Sequence, residues 1–449
     1  MGYISGKKKV KFFQFIWYLR NVMRRCISTT SLLNILITML LLVAFISIPV
    51  QASATVYRVS PNGIDSGDCG ATWENPCSLT HALSLSTAGD QIWVSSGTYK
   101  PTPNNDRTIS FSLVSGVALY GGFAGSETEL TQRDPIVNIT VLCGDIGVSA
   151  EISDNSYHVV YSNQTDLSTI LDGFTIEGGN ADGSYPYSRG GGVFNYKGNT
   201  QFANLIITEN SAIDLGGGVY NFESAPSFSN TSFLNNSSEN RGGGIYNYTS
   251  NVTMSDITFD GNYAKDLGGG MNCFDSQTLL TDSVFTNNIA ESGEGGGLFS
   301  FGGTIAVTNA YFSKNSAANG AGMYNTWYSD ATLTNVSFEN NSAFERAGGF
   351  YNYLSNATLI DVTFLTNTAQ HHGGGMFTGD SDPVLQNVTF SGNTSEMNGG
   401  GFNVNASDPK LTDVTFIGNK ADNGGGIYVW DYSRDRKSTR LNSSHVSQS

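Results

Sequence analysis

In the stretch ATLIDVTFLTNTAQHHGGGMFTGDSDP, Ala357 to Pro383, apolar residues fall at Leu359, Val362 and Phe364 with polar residues filling the positions between. Alternation of this kind predicts a short strand with one buried face. Asp361 breaks the alternation three residues before the phenylalanine, where an Asx side chain suits a corner because it bonds its own backbone and tolerates turn conformations. Beyond Phe364 come Asn367, the small Ala369, three glycines and a further apolar residue, Met376. Three short strand-like pieces joined by Asx, small-residue and glycine corners are therefore expected within 27 residues.

The same order recurs along the chain. The last glycine of each triplet or its variant falls at Gly192, Gly218, Gly244, Gly270, Gly297, Gly322, Gly349, Gly375, Gly401 and Gly426, a step of 25 to 27 residues each time. A second marker, F-x-x-N, keeps the same beat from Phe233/Asn236 to Phe416/Asn419, and Ile207/Asn210 is an imperfect earlier copy. Asn204, Asn230, Asp256, Asp282, Asn309, Asn335, Asp361, Asn387 and Asp413 occupy the corner position. Repetition at this period marks a solenoid in which each unit buries its apolar face on the next. Apolar spacing of 3.6 is absent and β-branched, Asn and Gly residues abound, which excludes helical units.

The expected fold is thus all-β, a right-handed parallel β-helix of about 26 residues per coil. At ~4.8 Å per rung, the glycine markers span roughly 43 Å. Equivalent residues lie above one another, so an Asn column becomes a ladder of hydrogen bonds. Val56 to Pro101 reads as an opening cap: a strand, a loop between Cys69 and Cys77, a short helix over Ser78 to Leu85, then a strand over Gln91 to Ser95. Such a cap covers the first rung's unpaired edge. Residues 55–181 hold the cap and irregular first coils, and 182–434 the regular repeats.

The two ends differ from this body. Residues 1–54 carry seven basic side chains, no acid, an apolar run from Leu32 to Val50 and the small-residue site Ala52-Ser53-Ala54, the order of an export signal. Left uncut, the same segment would act as a signal anchor. Asp435 to His445 reads DRKSTRLNSSH, which resembles a translated short-read sequencing adapter, so residues 435–449 are set outside the fold. The natural chain is then expected to continue beyond Arg434.

Export makes a disulfide between Cys69 and Cys77 plausible chemistry, while Cys273 occupies a position elsewhere held by Asn, Ser or Thr and reads as a buried thiol. Of the 23 basic residues, 13 remain between Thr55 and Arg434 once seven in the leader and three in the last segment are set aside, against 37 acids. That excess repels phosphate backbones, so no nucleic-acid partner is expected.

The pairing of G-G-[GA]-[IVM]-Y with F-x-x-N resembles the repeats of the polymorphic outer-membrane protein family and, more broadly, secreted bacterial right-handed β-helix repeat proteins. Leader-like stretches AGDQIWVSSGTYKP (Ala88 to Pro101), SGVALYGGFAGSET (Ser115 to Thr128) and LDGFTIEGGNA (Leu171 to Ala181) resemble the broader group. The resemblance runs from about Thr55 to Trp430. It implies an extracellular or cell-surface protein, outer-membrane-associated in the first family, with adhesin-like roles. It implies no catalytic residue. The family's C-terminal barrel has no counterpart in this sequence, so the anchoring element is missing from it, and no membrane insertion of the repeats is expected.

Candidate chemistry is sparse. Triple glycine recurs without a following helix or G-K-[ST], which points to structural use. His371 and His372 suggest a metal, but their column also holds Arg189, Leu215, Arg241, Leu267, Glu294, Asn319, Arg346, Asn398 and Asn423, as an exposed corner would. Asp256 and Asp282, on adjacent rungs, are the calcium candidates, and no other cofactor is expected. A compact Asp, His and Arg or Lys constellation is not evident. The position after the post-glycine apolar residue is an aromatic column that includes Tyr220, Tyr246, Phe299, Tyr324, Tyr351, Phe377 and Tyr428, interrupted by Asn272 and Asn403. Period-two alternation turns these rings outward, where they either stack on one another and stiffen the sheet or bind a glycan or a host or cell-surface protein. The function expected is an adhesin-like passenger or stalk presenting a repetitive face. The alternative is a carbohydrate-active β-helix enzyme, a polysaccharide lyase or hydrolase, with its site in loops or in the missing C-terminal part.

Overall fold

A computed structural model of the protein describes residues 54–430 and the short strand Val446–Gln448. The export segment therefore lies outside the described residues, apart from Ala54. Every strand pair is parallel, and the chain winds as a solenoid of about 13 turns with about 26 residues per turn. In register, Val193 pairs with Val219, Val219 with Ile245 and Ile245 with Met271, so each turn sits directly on the last. Two-residue strands such as Ser237–Ser238 and Thr368–Ala369 form a separate nine-stranded sheet on the third side. Their short length follows from the bends that flank them.

The core is a set of columns. Phe233, Phe259, Phe285, Phe312, Phe338, Phe364, Phe390 and Phe416 stack with centroids 4.6 to 5.0 Å apart. All are buried, as are the Leu and Val residues two and five positions before them from Leu333/Val336 onward. Rings spaced at the rung distance meet face to face with an offset, so stacking adds to area burial. Beside them the F-x-x-N asparagines form a buried ladder from Asn210 to Asn393, each amide donating to the next asparagine's Oδ1.

Glycines make most of the next corner, where only Ala321 and Ala347 depart from glycine among the full triplets from Gly190 to Gly426, because there is little room for a side chain. A Cβ on Gly374 would stand 2.4 Å from the Thr394 carbonyl oxygen and 2.5 Å from that of Gly400, and Gly373 lies at φ +68°. The Asx corner has its own conformation: all nine of its residues, Asn204 to Asp413, are left-handed with φ between 45° and 56°. Asn and Asp tolerate that region better than other side chains.

At the N-terminal end, the strand Val56–Ile64 pairs with Gln91–Ser95, and the helix Leu79–Leu85 turns Leu79, Ala82 and Leu83 into the core. Ser78 caps it, its hydroxyl accepting from the His81 N–H. Cys69 and Cys77 are joined by a disulfide, while Cys143 and Cys273 are free and buried. At the other end, Val446–Gln448, inside the segment set outside the fold, pairs with Val414–Phe416. Ladder pairing needs only backbone groups, so an exposed edge accepts any extended segment that reaches it.

Candidate ligand-binding face

The structure corrects the expected placement of the aromatic column. Tyr220, Tyr246, Phe299, Tyr351 and Phe377 are buried, and Tyr324 and Tyr428 are half-buried. They do point away from the core, but two neighbours cover them. Rings on successive turns cover one another, as Tyr324 and Tyr351 do at 4.5 Å, interplanar angle 4°. The corner column before the glycines folds over the rest: Leu215 joins the cluster of Phe194, Tyr220 and Tyr246, and Arg189 donates to the Tyr220 hydroxyl at 3.0 Å. Arg346 lies over Phe377 at 5.5 Å. That corner is therefore a lid on the rings, with Leu215 and Leu267 buried, rather than the exposed edge its sequence variability implies.

A second column, two residues further along the same strands, takes the outer place. Tyr196, Phe222, Tyr248, Phe274, Phe301 and Trp327 make a ladder with centroids 5.1, 5.3, 5.5, 4.9 and 5.7 Å apart. The first four contacts and their rings are close to parallel, at 2° to 6°. The signal was present in the sequence as the spacing aromatic-x-aromatic: Phe194 and Tyr196, Tyr220 and Phe222, Tyr246 and Tyr248, Tyr351 and Tyr353.

Trp327 differs from the others in how it is held. Thr326 stands in register with Phe301, so the ladder would lack a ring there, and Trp327 supplies one from the corner. The stretch from Met323 to Phe338 is one residue longer than its counterparts from Leu298 to Phe312 and from Phe350 to Phe364, and both Trp327 and Tyr328 adopt left-handed backbone, φ 56° and 58°. Bulky residues there are strained, and such strain concentrates at functional sites. Both side chains are exposed, Trp327 by 52% and Tyr328 by 73%.

Between lid and ladder runs a cleft of about 310 Å³. Phe299 and Tyr324 form its floor, Arg241 and Glu294 one wall, and Phe274, Phe301 and Trp327 the other. Burial, and then the carboxylates of Asp266 and Glu345, hold the Glu294 carboxyl above its ordinary range against the opposing pull of Arg241. Arg241 in turn pairs with Asp266 at 3.4 Å. Ring faces beside one carboxyl and one guanidinium suit a polyhydroxylated ligand: C–H surfaces pack on the rings and hydroxyls meet the charged groups.

The other sequence candidates stay apart. Asp256 and Asp282 are exposed and opposite one another on adjacent turns, and Asp282 accepts from the Asn309 amide at 2.9 Å. Among the described residues no group of three or more His, Cys, Asp or Glu side chains gathers to hold a metal. His371 and His372 have ring centroids 6.2 Å apart, and His372 Nδ1 lies 3.2 Å from the Asn398 amide, so the two do not converge on a shared point.

Comparison with known families settles the class. The family described as "Right handed beta helix region" matches residues 284–443, and the Chlamydia polymorphic membrane protein repeat matches residues 230–248, which contain Phe233, Asn236 and the Gly242 to Tyr246 stretch. The chain is a right-handed β-helix repeat protein, polymorphic-membrane-protein-like in its repeats. No curated protein sequence matches this β-helix protein. Similar solved structures include pectate lyase Pel9A (14% identity, 86% of this chain and 82% of that chain covered, TM-score 0.42). They also include the A-module of the Azotobacter vinelandii mannuronan C-5 epimerase AlgE4 (13%, 86% and 98%, 0.39). PfbA, a surface adhesin of Streptococcus pneumoniae, is a third (13%, 85% and 96%, 0.40). Nothing about the chemistry of this chain follows from likenesses of this size.

Proposed function

We propose that this β-helix is an exported surface or secreted protein that binds a glycan polymer along its outer ring ladder, acting as an adhesin-like passenger or stalk. The observation that carries this reading is the ladder from Tyr196 to Trp327, whose six rings lie in an unbroken row beside the cleft. At ~4.8 Å per turn it extends roughly 24 Å, the reach of an extended polymer rather than of one small molecule. The export-type leader and the polymorphic-membrane-protein repeat support the surface or secreted location. The acidic balance disfavours a nucleic-acid polymer.

Retention of the full chain on a panel of immobilised polysaccharides tests the reading. The double change Phe274→Ala with Phe301→Ala should weaken retention about tenfold, because each stacked ring contributes about 0.5–1.5 kcal/mol. Both rings are half-buried, so folding should survive. Retention by no polysaccharide, or retention unchanged in the double variant, would overturn it.

A carbohydrate-active enzyme is favoured by one observation, the raised Glu294 carboxyl, since an upward-shifted carboxyl is the kind that serves as a general acid. Glycoside hydrolysis needs a second, free carboxylate across the bond. Asp266 interacts with Glu294 but is engaged by Arg241, so the site fits binding better than turnover.

A further inference from the structure

The covered ring column continues past Phe194 toward the N-terminus for one more turn. Tyr161 pairs with Phe194 in register and stacks on it at 5.7 Å. One turn earlier, Ser112 stands in register with Tyr161. The column therefore ends on a serine, and beside it lies a cavity of about 320 Å³ lined by Thr108, Ser110, Ser112, His158, Tyr161 and Tyr187, with Pro186.

His158 sits at a place that later turns give to glycine. Because Val160 pairs with Val193, His158 is aligned with Gly191. Its imidazole lies between Phe194 and Tyr187, with centroids 4.9 and 5.7 Å away. Nδ1 is 3.0 Å from the Gly190 carbonyl oxygen. A carbonyl can only accept, so the ring hydrogen belongs on Nδ1 and Nε2 carries a lone pair. The side chain is 3% exposed and Nε2 has no hydrogen-bond partner. Burial lowers its pKa to about 4, with hydrogen bonds to backbone carbonyls opposing, so the ring is neutral near pH 7.

A buried acceptor left without a donor calls for an explanation, and a ligand that completes it is one. The walls narrow the choice. A neutral imidazole whose one ring hydrogen is spent on the Gly190 carbonyl offers nothing to an anion, and no cysteine, carboxylate or second histidine lines the cavity to share a metal. What the cavity does offer is hydroxyls, from Thr108, Ser110, Ser112, Tyr161 and Tyr187, beside ring faces.

We infer that this cavity binds a single terminal sugar ring, stacked on Tyr161 as the next member of the column and donating one hydroxyl hydrogen to Nε2 of His158. The inference rests on the saccharide reading of the ring face and adds an end site to it, so a polymer lying along the ladder would be recognised at its terminus as well as along its length. Pro186 and Tyr187 line the cavity from one segment, and Tyr187 is held by stacking on Tyr157 at 4.8 Å, which Arg107 covers at 4.1 Å.

The test follows the Nε2 resonance of His158 in the full chain labelled with ¹⁵N-histidine, titrated with methyl glycosides of glucose, galactose, mannose, xylose and N-acetylglucosamine. At least one should move it upfield and saturate at millimolar concentration. Ser112→Phe, which fills the cavity from an exposed strand position, and Tyr161→Ala should each abolish that saturable shift. Phe274→Ala with Phe301→Ala should lose polysaccharide retention and leave the shift intact. Absence of a saturable shift with every glycoside, or a shift that survives Ser112→Phe, would overturn the end site. Retention without the shift rejects the end site alone, and the shift without retention rejects the ladder alone.

Discussion

Asn288 and Asn315, stacked one turn apart in the core, are joined twice: both the backbone N–H and the side-chain amide of Asn288 donate to Oδ1 of Asn315, each at 3.0 Å. The second amide hydrogen of Asn288 goes to the Phe259 carbonyl at 2.9 Å, and its own Oδ1 accepts two bonds from Asn262. No donor or acceptor of that side chain is left over, although it is fully buried. A satisfied polar network of this kind tolerates burial, and a broken one does not.

Asn315→Ala should therefore destabilise the coil by about 2–4 kcal/mol, since it strands two donors of Asn288 and takes one of two donors from the side-chain oxygen of Asn341 and one from the Phe285 carbonyl. Asn419→Ala, at the half-buried end of the same ladder, should cost about 1 kcal/mol. Urea denaturation followed by circular dichroism compares them, and equal effects would contradict the ladder's role.

Two glycines should respond in opposite ways. Gly374→Ala places a methyl against two backbone oxygens and, with Ala321 at the equivalent place two turns earlier, should cost about 1–3 kcal/mol. At Gly418, φ is +62° and a Cβ would meet nothing within 4 Å. Asn235, Asn287 and Asn340 are left-handed at equivalent places, so Gly418→Asn should fall within about 0.5 kcal/mol of the parent by thermal melting.

Two carboxyls should show opposite pH dependence. Burial alone would raise Glu127, but backbone N–H groups of Ala124, Ser126 and Gly125 outweigh it and hold the carboxyl below its ordinary value of 4.5. Its contribution is full above that value and is lost as pH falls through the lower, folded one. Glu294 is shifted upward, so its charged form opposes folding: the cost is absent well below 4.5, grows as pH rises through the folded value and is complete above it. Stability measured from about pH 3 to about pH 8 should lose its acid-side drop in part with Glu127→Gln and gain at neutral pH with Glu294→Gln.

Removing the opening turns should expose a pairing edge. A chain beginning at Asp182 lacks Val160–Asn163, the partner of Val193–Tyr196, and the helix that covers the core end. Light scattering should show aggregation, and a monodisperse monomer would argue against the capping role. Cys69→Ser, which opens only the small loop, should cost about 2–3 kcal/mol and leave the protein monomeric.

Most of the fold was legible because each column repeats its chemistry every turn. Phe364 and Asn367, taken with their counterparts, announce a core stack and a ladder, and the Asx corner announces its left-handed backbone. The ring face was harder to read. Alternation correctly turned Tyr220 and Tyr351 away from the core, but alternation carries no information about what neighbouring side chains do next. Arg189, Leu215 and Arg346 fold over those rings because the corner places them four residues before the strand, and only the folded chain shows that. Phe274 and Phe301 were visible two residues along. His158 was not, since its interest lies in an unpaired nitrogen and in a serine one turn away from Tyr161.

The asparagine-to-asparagine bonds of the ladder reach 26 or 27 residues along the chain, one turn, because each turn holds only the one before and the one after. A molecule built this way and tethered at one end would behave under tension as a ratcheted line. Load would peel the terminal turn first, freeing roughly 90 Å of chain per event by the extended length of 26 residues, while every turn below kept its shape and its grip.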